Sequence, residues 1–246
     1  MTTTDNENFH ADSVIVTIPL GCLQRNTIKF TPALPPRVQS AISNLELGVF
    51  EKVFIRFSEA WWLPVEQNKS SDRIDYFRFI CPLSTCEHVP RGTLNFFSLA
   101  RIHKPEPVFG VFTAVDIAKY LVSLPNDELK SLLQTNYISH LPNYDANNPA
   151  CQILEVDTTA WSKDPLSGFG SFTHIPVGSD TGVEDMKILS QMIVHAGDGA
   201  VCFAGEHVSE PELIQGLFYT SSGTVNGAYK SGERAANKIL DHYSGK

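Results

Sequence analysis

The sequence has no apolar run of about 20 residues, the length a helix needs to cross a bilayer, so no membrane span is expected. It is short of positive charge: 19 Lys and Arg stand against 27 Asp and Glu, a net charge of −8. A basic patch formed by bulk charge is therefore excluded, and with it the simplest route to a nucleic-acid partner. Cysteine is sparse. The five, at positions 22, 81, 86, 151 and 202, form no CxxC pair and have no histidine cluster beside them, so neither a metal nor a disulfide framework is read from them. Reduced thiols in an intracellular protein are the expectation. The first residues, Met1 to Asn8, lack the basic region and apolar stretch of a signal peptide. No Walker A sequence, GxSxG elbow or HExxH occurs. Gly168-Phe169-Gly170 and Gly197-Asp198-Gly199 each open like a dinucleotide fingerprint but lack the correctly spaced third glycine. Serine-hydrolase, P-loop and zinc chemistry are set aside, and a lone Asn68-Lys69-Ser70 sequon is attributed to chance.

What is present is an ordinary globular composition. The 246 residues are 42% hydrophobic and 19% charged, enough to bury a core in one large domain or two smaller ones. The chain is organised around Val201 to Ala236. A short apolar strand, Val201 to Ala204, runs into Gly205-Glu206, placing an acid just past the strand's carboxyl end, where open α/β sheets bind ligands. Ser221-Ser222-Gly223 offer N-cap chemistry for a helix starting near Thr224. Small residues then recur at helical spacing: Gly227, Ala228, Ser231, Gly232, Ala235 and Ala236. Such a face lets a helix lie close to a sheet or ligand, and its N-terminus carries partial positive charge. On pattern alone this is equally an ordinary strand-loop-helix closing unit.

Ser13 to Ile18 is a continuous β-branched strand of the kind buried on both faces of a parallel sheet. A short helix is predicted over Arg37 to Leu47, and Lys52 to Phe57 alternates as a half-buried strand ahead of Trp61-Trp62. Tyr76 to Cys81, Gly92 to Ile102 and Pro107 to Ala114 read as further strands of a mostly antiparallel meander. Ile117 to Leu124 and Asn126 to His140 read as helices and Cys151 to Thr158 as a strand. Trp161 to Phe172 reads as a turn-rich aromatic loop, and Met186 to His195 as a helix. The pattern predicts a mixed α/β (α+β) fold in which a central domain is inserted into another whose pieces are terminal.

Three stretches together resemble the carboxyl-terminal half of the flavin-dependent amine oxidases, the group that holds polyamine oxidases and lysine-specific histone demethylases. They are Ala11 to Gly21; Lys52 with its strand and Trp62; and Trp161 to Phe172 with Phe203-Ala204-Gly205-Glu206-His207 and Gly223 to Tyr229. The resemblance implies an incomplete FAD-binding Rossmann-like domain over 1–30 and 191–246, with a substrate domain on a mixed, mostly antiparallel sheet over 31–190. It implies oxidation of a small amine or polyamine by hydride transfer to FAD, with O₂ as the second substrate, imine hydrolysis and H₂O₂ release. It gives Lys52 the catalytic place, holding a water beside the flavin N5. Glu206 takes the FAD sugar region, Thr224 and Val225 the flavin pyrimidine edge, and Trp161 a further cofactor contact. Phe172 lies at the substrate amine. A tyrosine found in some relatives where Thr224 stands is replaced here, leaving one aromatic wall and a pattern nearer the demethylases. The segment Val208 to Ser222 is longer than in many relatives. The relatives' opening GxGxxG unit has no counterpart in the sequence, so a truncated oxidase is expected, or else a catalytically inactive interaction module that binds no FAD alone.

Overall fold

A computed structural model describes residues 1–63, 76–83, 86–100, 106–195, 199–208, 212–214, 217–219 and 222–245. The Asn68 sequon, the Gly197-Asp198 turn, the predicted end of the strand at Ile102 and parts of the 208–222 segment lie outside them. In chain order the elements are β1 (Ser13–Val16), α1 (Leu20–Gln24), α2 (Pro36–Asn44), β2 (Glu46–Gly48), β3 (Phe50–Arg56), β4 (Tyr76–Cys81), β5 (Gly92–Ser98) and β6 (Val108–Ala114). Then come α3 (Val115–Ser123), α4 (Asn126–Asn136), β7 (Glu155–Thr158), β8 (Phe172–His174), α5 (Gly182–Ser190) and β9 (Ile193–Val194). The last are β10 (Ala200–Phe203), β11 (Glu212–Ile214), β12 (Leu217–Tyr219) and α6 (Val225–Ser244). The chain packs as two units: a terminal unit of Met1–Gly48 and Pro165–Lys246, and a central unit of Val49–Asp164.

In the terminal unit β1 pairs in parallel with β10, Ser13 opposite Ala200 through Val16 opposite Phe203, and β9 adds an antiparallel strand on the far side of β10. Apolar residues on one face of α2 (Val38, Ala41, Ile42) join Val16, Leu20, Met186, Leu189 and Phe203 in one buried cluster. An ion pair between an exposed arginine and a buried aspartate fastens the two helices of that layer: Arg37 of α2 donates to Asp185 of α5, which also accepts from Asn44 and Thr181. Burial alone would raise the Asp185 pKa, but these donors outweigh it and hold the carboxyl below its ordinary value. The sequence led us to expect β1 to be covered on both faces. Instead Val14 and Ile15 are each 37% exposed, because β1 is the edge strand and only β10 lies beside it among the described residues.

The central unit is a five-stranded sheet in the order β4-β5-β6-β3-β7, antiparallel at every described pairing. Period-two alternation sends Glu51, Val53 and Ile55 of β3 to one face and Phe50, Lys52 and Phe54 to the other. The first face packs with Leu94, Phe96, Phe109 and Val111, and the apolar stripes of α3 and α4 cover it through Ile117, Leu121, Leu129 and Leu133. Trp62 is buried here, its indole N–H donating to Ser98 Oγ at 2.9 Å. Cys81 and Cys86, unremarkable by spacing, meet the buried Tyr137 hydroxyl at 3.3 and 3.7 Å. All five cysteines are free and buried.

Candidate functional site

In the terminal unit the strand-to-helix stretch is built around one carboxylate. β10 leads through Ala204 to Gly205, whose φ of +143° suits glycine; a Cβ there would fall 2.7 Å from the His207 ring. The chain then turns at Glu206. Its two oxygens accept from the Thr173 backbone N–H (3.1 Å to each), the Thr173 hydroxyl (2.6 Å), the Gly223 N–H (2.9 Å) and the Ser222 hydroxyl (3.4 Å). The carboxylate therefore ties β8 to the turn that enters α6. Its roughly four lone-pair sites are largely taken by protein donors. Phe172 is half-buried beside this tie, so close to Gly223 that an added Cβ would meet its ring at 3.1 Å.

The helix begins one residue later than expected. Thr224 is itself the N-cap, its hydroxyl accepting the Gly227 N–H at 3.0 Å, and α6 starts at Val225. Thr224, Val225 and Asn226 are exposed, Val225 by 89%, so the positive end of a 20-residue helix faces outward. Of the small residues, Gly227, Ser231 and Ala235 form the buried stripe. Ser231 Oγ accepts the Gly205 N–H at 2.8 Å and lies 3.0 Å from its carbonyl, drawing α6 onto the end of β10. Next to Glu206, His207 is 2% exposed and its Nε2 meets no hydrogen-bond partner among the described residues. Burial lowers its pKa, and the neighbouring Glu206 pulls the other way.

In the central unit Lys52 is half-buried on the face of β3 opposite the core, its Nζ 5.8 Å from the centre of the Phe112 ring. No carboxylate lies within ion-pair distance of it among the described residues. Trp161 opens a single 3₁₀ turn, Trp161–Lys163, and is 44% exposed. The turn is fixed to β3. Thr159 N–H donates to the Lys52 carbonyl at 3.0 Å, and the Lys52 N–H donates to Thr159 Oγ1 at 2.8 Å.

Glu206, Phe172, Thr224 and Val225 thus gather in the terminal unit, and Lys52 and Trp161 in the central one. Sequence reasoning passed over Thr173 and Ser222, whose donors serve Glu206, and over Glu51, which carries the Trp161 turn. A signal for Glu51 was available, since an acid in the buried phase of an alternating strand requires buried donors. A cavity of about 440 Å³ in the terminal unit, lined by Leu23, Phe30, Leu34 and Ile42 among others, includes none of the expected site residues. Among the described residues no group of three or more His, Cys, Asp or Glu is placed to hold a metal, and no helix is long and apolar enough to cross a membrane.

A parallel strand pair closed by a small-faced helix, in one chain with a separate antiparallel sheet, defines a mixed α/β protein with an open, polar strand-to-helix junction. The chain belongs to the flavin-containing amine oxidoreductase family, whose model matches residues 1–240. Relatives include lysine-specific histone demethylase 1 homolog 1 of Arabidopsis thaliana, 30% identical over 96% of this chain and 25% of its own length. Polyamine oxidase 4 of Oryza sativa subsp. japonica is 30% identical over 97% of this chain and 41% of its own length. A solved putrescine oxidase, a mutant from a structure-based redesign of its cofactor binding, shares the fold at a TM-score of 0.62 and 16% identity, over 93% of this chain and 42% of that one. The chain spans less than half the length of these relatives.

Proposed function

We propose that the chain forms part of an FAD-dependent amine oxidase of polyamine oxidase-like type. The observation that carries the cofactor reading is the start of α6. Thr224 caps the helix with its own side chain, and the amides of Val225 and Asn226, both exposed residues, meet no acceptor among the described residues. Such donors suit the carbonyl edge of a flavin and would stabilise negative charge gathering there. When bound, FAD would supply the acceptor for a hydride from the carbon beside the amine, with O₂ as the final oxidant. Val225 and Thr224 would hold and polarise the ring edge. Glu206 fixes the frame by joining β8 to the helix start; its contact with an FAD hydroxyl, expected from the family, competes with the four donor groups already on it.

Lys52 would hold a water at its Nζ and relay a proton through it; the Nζ stands half-buried, 5.8 Å from the centre of the Phe112 ring. The substrate amine must be neutral for its lone pair to assist hydride departure. Phe172 and Trp161 offer aromatic faces to the amine and the cofactor. A small amine is the substrate class. Adding FAD to the purified chain and recording the visible spectrum tests the proposal. A bound yellow chromophore bleached anaerobically by spermine or another amine supports it; a chain that takes up no FAD rejects it for this chain. One observation favours a second reading, an interaction module without catalysis: the edge of β1, unpaired among the described residues and with Val14 and Ile15 exposed, is a surface for pairing with another strand.

A further inference from the structure

Glu51 is fully buried, yet no cation lies within ion-pair distance of it among the described residues. A carboxylate taken out of water without a counter-ion is costly unless donors replace the lost hydration. Among the described residues, every donor to it comes from one segment. The Thr159 hydroxyl donates at 2.6 Å, the Ser162 N–H at 2.8 Å and the Trp161 N–H at 3.2 Å. Two of these are the first amides of the 3₁₀ turn that carries Trp161, and orphan amides at a helical start favour a negative partner. The third group, Thr159 Oγ1, donates to Glu51 while accepting the Lys52 N–H at 2.8 Å. Side chains alternate along β3, so Glu51 points inward while its neighbour Lys52 points to the other face. The turn is therefore held by the side chain of one residue and the backbone of the next.

We infer that Glu51 is a positioning residue: its buried carboxylate sets the place and rigidity of Trp161 relative to Lys52. The inference rests on the cofactor-side part assigned to Trp161 above. It explains why the position carries a charge. A glutamine presents one acceptor oxygen and an NH₂ group, and the NH₂ would face a converging N–H. At least one amide of the turn would lose its partner, while the volume in the core would stay the same.

The test uses the whole chain labelled with 5-fluorotryptophan, whose tryptophans at 61, 62 and 161 give separate ¹⁹F resonances. Trp161→Phe assigns the signal of interest. In Glu51→Gln the Trp161 resonance is expected to shift and broaden while those of Trp61 and Trp62, packed in the core, hold their positions. Thr159→Val, which deletes one donor and leaves the carboxylate, should move the same resonance less, and it keeps the question answerable should Glu51→Gln not fold. An unchanged Trp161 signal in the variants that fold, or equal disturbance of all three tryptophans, overturns the inference. FAD titration supplies the second readout. Glu51→Gln should weaken binding about tenfold in the parent and leave binding unchanged in a Trp161→Phe background. Equal weakening in both backgrounds means that Glu51 does not act through Trp161 and also overturns it. A moved Trp161 signal in a chain that never binds FAD leaves the positioning role standing and removes the cofactor reading instead.

Discussion

Two side chains show how environment, more than residue type, sets chemistry here. Lys52 sits over Phe112 without a carboxylate partner among the described residues, and the proposal gives its Nζ a proton to move. Lys52→Met keeps the length of the side chain and removes the nitrogen. In the FAD-loaded protein it should lower the rate of flavin reduction by an amine about a hundredfold or more, the usual scale for a proton-transfer group, while the bound flavin spectrum persists. Stopped-flow reduction with unaltered rates would end that assignment. His207 is a different case. Its imidazole is buried, its Nε2 without a partner among the described residues, and burial holds its pKa below the ordinary value near 6.5. Above that value both folded and unfolded chains carry neutral imidazole, and stability is complete. Below it the unfolded chain takes up a proton that the folded chain refuses, so stability is lost as the pH falls. Thermal melts between pH 7.5 and 5.5 should show this decline. His207→Leu should flatten it, and an identical slope in the variant would place the titrating group elsewhere.

At the scale of elements, caps and tight turns decide the geometry at α6. Thr224→Ala deletes the hydroxyl that receives the Gly227 amide and should cost about 1 kcal/mol, read as a fall of about 2–4 °C in melting temperature. Thr224→Ser should restore most of it. If the alanine variant melts unchanged, water satisfies that amide as well as the threonine does. Gly205→Ala should cost more, since it combines a left-handed backbone with a Cβ against the His207 ring. Much of this element was legible in the sequence. The small-residue spacing marked the stripe Gly227, Ser231 and Ala235, and the acid after the strand marked Glu206. The meander of β4, β5 and β6 followed from alternation and turn residues. Less legible was β8: three residues have too little periodicity to register, and the segment read as part of an aromatic loop. With β8 hidden, so were its pairing with β2, Glu46 opposite His174, and the donors of Thr173. Likewise the helix expected to run to His195 stops at Ser190, and Ile193–Val194 pairs with β10 instead. Apolar residues this few fit either period, and the neighbouring strand decides.

Across the whole molecule, packing and sequence divide the chain differently. The β2–β8 pair draws residues up to Gly48 and from Pro165 onward into the terminal unit. The family resemblance implied boundaries at 30/31 and 190/191; contacts between distant segments leave no local mark in the sequence. The same long-range logic exposes β1. Its edge, unpaired among the described residues and with Val14 and Ile15 each 37% exposed, is a template for another strand. Ile15→Lys should therefore reduce self-association in size-exclusion chromatography with light scattering. An unaltered mass distribution would show that the edge is not the contact.

The parallel pairing of Ser13–Val16 with Ala200–Phe203 also imposes an order of events during synthesis. At the usual 5–20 residues per second, β1 waits roughly ten seconds or more for its neighbour to be made. The central unit is one continuous segment, Val49–Asp164, and is made before β10. Its antiparallel sheet can therefore form before the β1–β10 pairing of the terminal unit closes.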